Sequence, residues 1–398
     1  MPAVAPPSTE ESPLALFLRF LRFGFLAWGG PVAQIAMIRR ELVDDEKWLS
    51  AEQFNRLLAA YQVLPGPEAH ELCVHIGTLR AGRLGGLLAG LGFMLPGFVL
   101  VLGLSALYAR IALDRPPLSA IFLGMQIAVI AIIVRAVHRI GAHVLVALWL
   151  WALAVLTFAG ALLGASFWIS LPAAGIAYAL AAGGRWIPAV LVIGAAALLA
   201  WLLGAGTDPA MVAAPATAGE AVGALTLLWT GLKAGLLTFG GAYTAIPFVR
   251  GDAVGRGWIS DQTFLDGLAL SGIVPAPLII FATFVGFQVA GLAGAVAITV
   301  GIFLPAFVFG MVLTRSIERI TEDERLHDFL EGVAAGVVGL IAATALDLAR
   351  GLVPQLPSLP LAALLFAACL AIAYWWKSKL NVLAIVALAA LGGWALFG

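Results

Sequence analysis

Charged residues are so unevenly spread along this chain that long stretches carry no Asp, Glu, Lys or Arg. The longest are residues 84–109, 116–134, 144–184, 186–207, 267–314, 351–376 and 380–398. A helix needs roughly 20 apolar residues to cross the hydrocarbon core of a bilayer, so several of these hold one span or two. Unpaired backbone groups cannot face lipid, which leaves helices or a closed barrel. Continuous apolar runs without strand-length alternation exclude the barrel. Dividing the runs at Gly, Pro and charged turns predicts an all-α polytopic membrane protein of about 13 helical segments, some of them short. Residues 1–13 are Pro-rich and acidic rather than a basic stretch before an apolar core, so no cleaved leader is expected, and the first helix begins near Leu14.

Composition agrees: 62% of residues are hydrophobic, 11% are charged and the mean hydropathy is +1.03. Such a chain takes lipid as its solvent, and the inner membrane is its expected place. The formal net charge of zero points to no nucleic acid. Cys73 and Cys369 sit far apart in apolar surroundings and read as small hydrophobes rather than a disulfide or a metal site.

The sequence repeats itself. Phe23-Gly-Phe-Leu-Ala-Trp-Gly-Gly-Pro31 returns as Ala234-Gly-Leu-Leu-Thr-Phe-Gly-Gly-Ala242 at an offset of 211, with Arg39 matching Arg250. At offset 210, Trp48-Leu-Ser50 matches Trp258-Ile-Ser260, Phe54 matches Phe264, and Leu64-Pro-Gly-Pro67 matches Val274-Pro-Ala-Pro277. At offset 209, Gly77, Gly82 and Gly85 match Gly286, Gly291 and Gly294, and Leu95-Pro-Gly-Phe-Val99 matches Leu304-Pro-Ala-Phe-Val308. Two one-residue gaps account for the whole series. The expected organisation is a first repeat over residues 14–205, a linker over 206–218 and a second repeat over 219–398.

An odd number of helices before the second copy would invert it in the membrane. In the second half Arg250, Arg256, Arg315, Arg319, Arg325, Lys377 and Lys379 fall on one set of loops and only Arg350 on the other, which makes the former cytoplasmic. The first half shows no such bias. Inverted repeats that meet at a midplane site made of broken helices are a transporter architecture, and the expectation here is inverted topology with discontinuous or re-entrant helices.

Three groups of residues can carry chemistry. Gly29-Gly30-Pro31 and Gly240-Gly241-Ala242 either break a helix, offering the next N-terminus to an anion, or pack helices closely through small residues. Two prolines two apart, Pro65 and Pro67 around Gly66, and Pro275 and Pro277 around Ala276, stop any regular helix. They form a discontinuous segment lining a cavity or an interfacial turn. Arg39 and Arg250 suit a tetrahedral oxyanion through bidentate guanidinium bonds, or anchor helix ends at headgroups. Glu68, Glu71 and His75, with His70 beside them, put ionisable groups on a helix where they can take up protons, although an incomplete metal-ligand set has the same residue types. Arg135, His138, Arg139 and His143 read as a solvated basic turn at a helix end.

Phe25-Leu-Ala-Trp-Gly-Gly-Pro31, Leu64-Pro-Gly-Pro-Glu68 and Leu95-Pro-Gly-Phe98, with their degenerate second set, resemble the chromate ion transporter (CHR) family in its long two-domain form. The resemblance implies a secondary transporter that exports chromate and confers chromate resistance. It implies a sulfate-like oxyanion as substrate and no cofactor, and Gly29, Gly30, Pro31, Pro65, Gly66, Pro67, Glu68, Gly240, Gly241, Pro275 and Pro277 carry the motif. His70-Glu71 and the second-half Val-Pro-Ala-Pro depart from that pattern. The expected mechanism is alternating access around a dianion held between the two repeats, with the bilayer and a second copy of the chain as partners. A passive anion channel and a carrier of another small oxyanion are the alternatives, and no enzymatic chemistry is expected.

Overall fold

The computed structural model describes residues 12–111, 117–204, 222–239, 241–312 and 323–398. Gly240, the linker and the start of the second repeat at residue 219 lie outside the described residues. Fifteen α-helices and no strand occur among the described residues. They are α1 Pro13–Phe25, α2 Gly30–Arg39, α3 Ala51–Val63, α4 Glu68–Tyr108, α5 Leu118–Val144, α6 Leu148–Leu162, α7 Phe167–Ala182 and α8 Trp186–Gly204. After these come α9 Ala224–Leu236, α10 Ile246–Ala253, α11 Asp261–Gly272, α12 Phe281–Val312, α13 Glu324–Leu352, α14 Leu359–Trp375 and α15 Asn381–Phe397. Five stretches among the described residues are long and apolar enough to cross a membrane. The count exceeds the expected 13 because the Gly-Gly and Pro-x-Pro breaks cut short half-helices from the runs.

The Trp-x-Ser motifs start helices. Ser50 accepts from Gln53 N at 3.1 Å while the Gln53 side chain accepts from Ser50 N at 3.0 Å, a complete capping box on α3. Ser260 Oγ accepts from Thr263 N at 3.1 Å and caps α11 in the same way.

Neither α4 nor α12 is a single span. Ala81 and Gly82 leave helical geometry (φ −142°, ψ 33°; φ 62°, ψ −160°), and Ala290 and Gly291 do so in nearly the same way (φ −143°, ψ 29°; φ 59°, ψ −147°). The positive φ at Gly82 and Gly291 is why glycine stands at each bend. At these bends each helix folds back on itself. His70 Nε2 lies 3.2 Å from Gly90 O, and Thr283 Oγ1 lies 2.7 Å from Thr299 Oγ1. Residues 20 apart on a straight helix would be about 30 Å apart. The short leg of α4, residues 68–80, reaches about halfway through a bilayer, and the long leg, 83–108, crosses it.

Helices α1 and α2 also fold back, tied together by Arg22 in the last turn of α1 with Glu41 just past α2 (Nη1–Oε1 and Nη2–Oε2, both 3.1 Å) and by Arg19 with Glu46. In the second half, Lys233 Nζ meets Asp252 Oδ2 at 2.5 Å and Thr230 donates to the same oxygen at 2.8 Å, closing α9 on α10. Helix α3 returns as the short leg of α4, with the Arg80 guanidinium 5.0 Å from the Trp48 ring centre. With α11 packed against α12 in the second half, four such pairs result, with Gly29-Gly30, Gly241, Pro65–Pro67 and Pro275–Pro277 at their tips.

The long helices exchange partners. Helix α5 packs on α14 and α15, while α13 packs on α6 and α7. Glycines allow the backbone approach that membrane helices use in place of a hydrophobic drive. A Cβ on Gly124 would fall 2.8 Å from Gly393 Cα, and one on Gly332 would fall 2.9 Å from Gly175 Cα. The two halves are unequally buried. Ile246, Phe248 and Val249 of α10 are fully buried, whereas Val32 of α2 is 65% exposed.

Candidate functional site

The tips of the folded-back pairs meet. Gly66 N–H, between the two prolines of the first half, donates to Thr238 O, just before the second Gly-Gly, at 2.7 Å. The Pro31 ring comes within 4.0 Å of the position a Cβ on Gly241 would take. Ala276, between Pro275 and Pro277, packs against Gly97 in the long leg of α4. Backbone conformation explains the glycines here: Gly29, Gly30, Gly66 and Gly241 have φ of 91°, 77°, 152° and 123°. At Gly66 a side chain would also run into the Glu71 carboxyl, 2.6 Å from its carbon.

These tips present helix N-termini. Helix α2 starts after Gly29, and α4 starts after Pro67, neither with a side-chain cap, so their first N–H groups have no partner from their own helix. Partial positive charge gathers there. The buried Gln34 braces the first tip by donating from Nε2 to Ala27 O at 2.9 Å.

Of the four ionisable residues after Pro67, two stay near the tip. Glu68 is buried, and Glu71 is fully buried with no hydrogen-bond partner on either carboxyl oxygen. His75 Nδ1 pairs with the Tyr61 hydroxyl at 2.8 Å, tying the short leg of α4 to α3. His70 points the other way, its ring 4.8 Å and 4.9 Å from those of Phe303 and Phe307. Glu68, Glu71 and His75 thus share a face as their spacing implies, while His70 wedges against α12. No cluster of three or more His, Cys, Asp or Glu suited to a metal ion occurs among the described residues.

Arg39 and Arg250 do not reach the junction. Arg39 is exposed at the outer end of α2, nine residues past Gly30, or about 14 Å along the axis. Arg250 is held by Asp261, the first residue of α11, through Nε–Oδ1 at 2.7 Å and Nη2–Oδ2 at 3.0 Å. A short amphipathic helix carries its polar end away from the break, so an arginine nine residues on lies at the far end. Positive charge that acts on the tips comes from the stretch read as a basic turn. Helix α5 runs through Arg135, His138, Arg139 and His143 to Val144, where a solvated basic turn was expected, and the Arg139 charge acts electrostatically on Glu68 and Tyr243. Arg135 braces it from one turn before, donating to Ala373 O at 3.2 Å and lying 4.7 Å from the Tyr374 ring centre, while Tyr374 bonds His138 at 2.8 Å. The only signal in the sequence was two arginines spaced one helical turn apart, directly after an apolar run.

Lipid-length apolar helices, half-helices folded back into the protein and a junction of uncapped helix ends define a multi-pass helical membrane protein. A profile described as chromate transporter matches residues 14–219 and again 225–394. The chain belongs to the chromate transporter family. It is 56% identical over 395 residues to a chromate transport protein of Pseudomonas aeruginosa, covering 99% of this chain and 94% of that protein. It is 30% identical to a chromate transport protein of Cupriavidus metallidurans (95% and 92% covered) and 29% identical to a probable chromate transport protein of Synechococcus elongatus (94% and 93%). No solved structure matches it.

Proposed function

We propose that this protein carries chromate out of the cytoplasm across the inner membrane, by alternating access around the junction of the four tips. One observation carries the reading: the Gly66–Thr238 bond places broken-helix tips from both halves of the chain in direct contact. The dianion sits against the uncapped starts of α2 and α4, with Gly29, Gly30, Pro31, Pro65, Gly66, Pro67, Gly241, Pro275 and Pro277 shaping the cradle. Arg139 supplies the positive charge in place of Arg39 and Arg250. Glu68 and Glu71, beside the cradle, exchange protons with the anion's arrival and departure, and His70 and His75 hold the short leg of α4 in place. Sulfate, with the same charge and tetrahedral shape, is the natural competitor.

In this reading the halves, residues 14–205 and 219–398, are repeats of opposite orientation. Their matching bends at Gly82 and Gly291 support this, as do the equivalent pairs Arg22–Glu41 and Lys233–Asp252 and the crossed packing of α5 and α13. Purified protein in liposomes loaded with unlabelled chromate should accumulate labelled chromate by counterflow, with sulfate competing. Flux that rises linearly with concentration and shows no counterflow would mean a channel. No flux of either anion would end the substrate assignment.

A further inference from the structure

Another buried carboxyl stands apart from the tips and has no part in the anion site. Asp266, midway along α11, is 4% exposed. Its two oxygens accept from two residues of the first half, Tyr108 Oη at the end of α4 and Gln126 Nε2 on α5, both at 2.8 Å. Gln126 is itself 4% exposed, and its Oε1 has no hydrogen-bond partner. Aromatic rings enclose the site, with those of Phe122 and Phe284 5.8 Å and 5.0 Å from the Tyr108 ring.

Among the described residues no cation is paired with this carboxyl. On its own helix Asp261 is taken by Arg250. On α13, Arg350 pairs with Asp347 at 3.7 Å. From α4 the facing group is the Tyr108 phenol, which the Thr263 hydroxyl also reaches, and from α5 it is the uncharged Gln126. Neither α12 nor α15 contains a charged residue. An isolated carboxylate in such a place is costly, and ionisable groups retained there mark ion pathways.

The unpartnered Gln126 carbonyl says which ion the site takes. With Asp266 ionised, Tyr108 O–H and Gln126 N–H fill its two oxygens and Gln126 Oε1 is left empty. With Asp266 protonated, a half-turn of the Gln126 amide lets Oε1 accept the acid hydrogen. A metal cation would instead need several oxygens converging, whereas both neighbours here present hydrogens.

We propose that Asp266 binds and releases one proton per transport cycle, and that its ionisation sets how firmly α11 of the second half is held to α4 and α5 of the first. This rests on the carrier reading. It differs from the role given to Glu68 and Glu71, which meet the anion directly, because Asp266 acts on the movement of the halves.

The test uses full-length protein in liposomes and compares, for each variant, anion flux under an imposed pH gradient with exchange at equal pH. Wild type should show a gradient-driven rate at least about fivefold above exchange. In Asp266→Asn the ratio should fall to about one, and Asp266→Glu should restore it. Tyr108→Phe, which removes one donor and keeps the ring, should move the pH midpoint of exchange. A wild type that moves anions with no response to the gradient overturns the proposal, as does Asp266→Asn that keeps the wild-type ratio. If Asp266→Asn does not assemble, an unshifted Tyr108→Phe midpoint overturns it. A wild type that moves no anion sinks the carrier reading instead, which is a separate outcome.

Discussion

Gly66→Ala is the substitution for which the structure gives the fullest account. Two penalties combine at this buried residue. Its φ of 152° lies where a side chain is strained, and backbone conformations of that kind cost about 1–3 kcal/mol. A new Cβ would also lie 2.6 Å from Glu71 Cδ, forcing a fully buried carboxyl to move, and overpacking of this sort costs about 1–3 kcal/mol. The expected loss is therefore about 2–6 kcal/mol, and shifting the tip also weakens the bond to Thr238, worth about 1 kcal/mol. Gly30→Ala is the internal comparison. Its φ is also positive, at 77°, but a Cβ there meets nothing within 4 Å, so only the backbone penalty of about 1–2 kcal/mol applies. Thermal unfolding in detergent, followed by tryptophan fluorescence, measures both. Glu71→Ala combined with Gly66→Ala should recover about 1–3 kcal/mol of the loss, because the three atoms nearest the new Cβ all belong to Glu71. Strictly additive single and double variants, or a Gly66→Ala protein as stable as wild type, would refute the reasoning.

Other outcomes follow from the same geometry. Lys233→Met leaves Asp252, 6% exposed, with Thr230 and a more distant Arg256, and should destabilise by about 3 kcal/mol. Adding Asp252→Asn should restore most of that in the same melting assay. Arg139→Gln should lower liposome chromate uptake at least about tenfold, whereas Arg39→Ala, at the exposed end of α2, should stay within about twofold of wild type. Ser260→Ala removes the cap on α11 and should lower stability by about 1 kcal/mol, read as a small drop in melting temperature.

The breaks were legible in the sequence because glycine and proline act on the backbone directly. Pro65 and Pro67 must stop a helix wherever they fall, and their reappearance as Pro275 and Pro277 marked the same event twice. What the breaks do next was less visible. Gly82 and Gly291 were matched in register, yet nothing local distinguishes a glycine that reverses a helix from one that merely packs against a neighbour. The site charges were harder still. Arg135 closed an apolar run on paper, but an arginine with a carbonyl and an aromatic ring to bind does not end a helix. Asp266 was hidden for the opposite reason: it stands immediately before the uncharged stretch 267–314, and nothing local marks it as buried. Only Tyr108 and Gln126, more than a hundred residues earlier in the chain, reveal it as buried. Partner choice among apolar helices has no sequence signature at this resolution of pattern, so the pairing of α5 with α14 and α15 was beyond reach.

That crossed pairing bears on how the protein is made. Helices α6 and α7 leave the ribosome well before α13, the helix that covers them, has been synthesised. Until then the faces they turn to Gly332, Gly336 and Gly339 of α13 must wait against lipid, and α5 must likewise wait for α14 and α15. Assembly is therefore completed only when the last helices are in the membrane. Truncation after α12 removes the partners of α5, α6 and α7 together. Conversely, two fragments divided between α8 and α9 each hold what the other lacks, so co-expression is the condition under which either can mature.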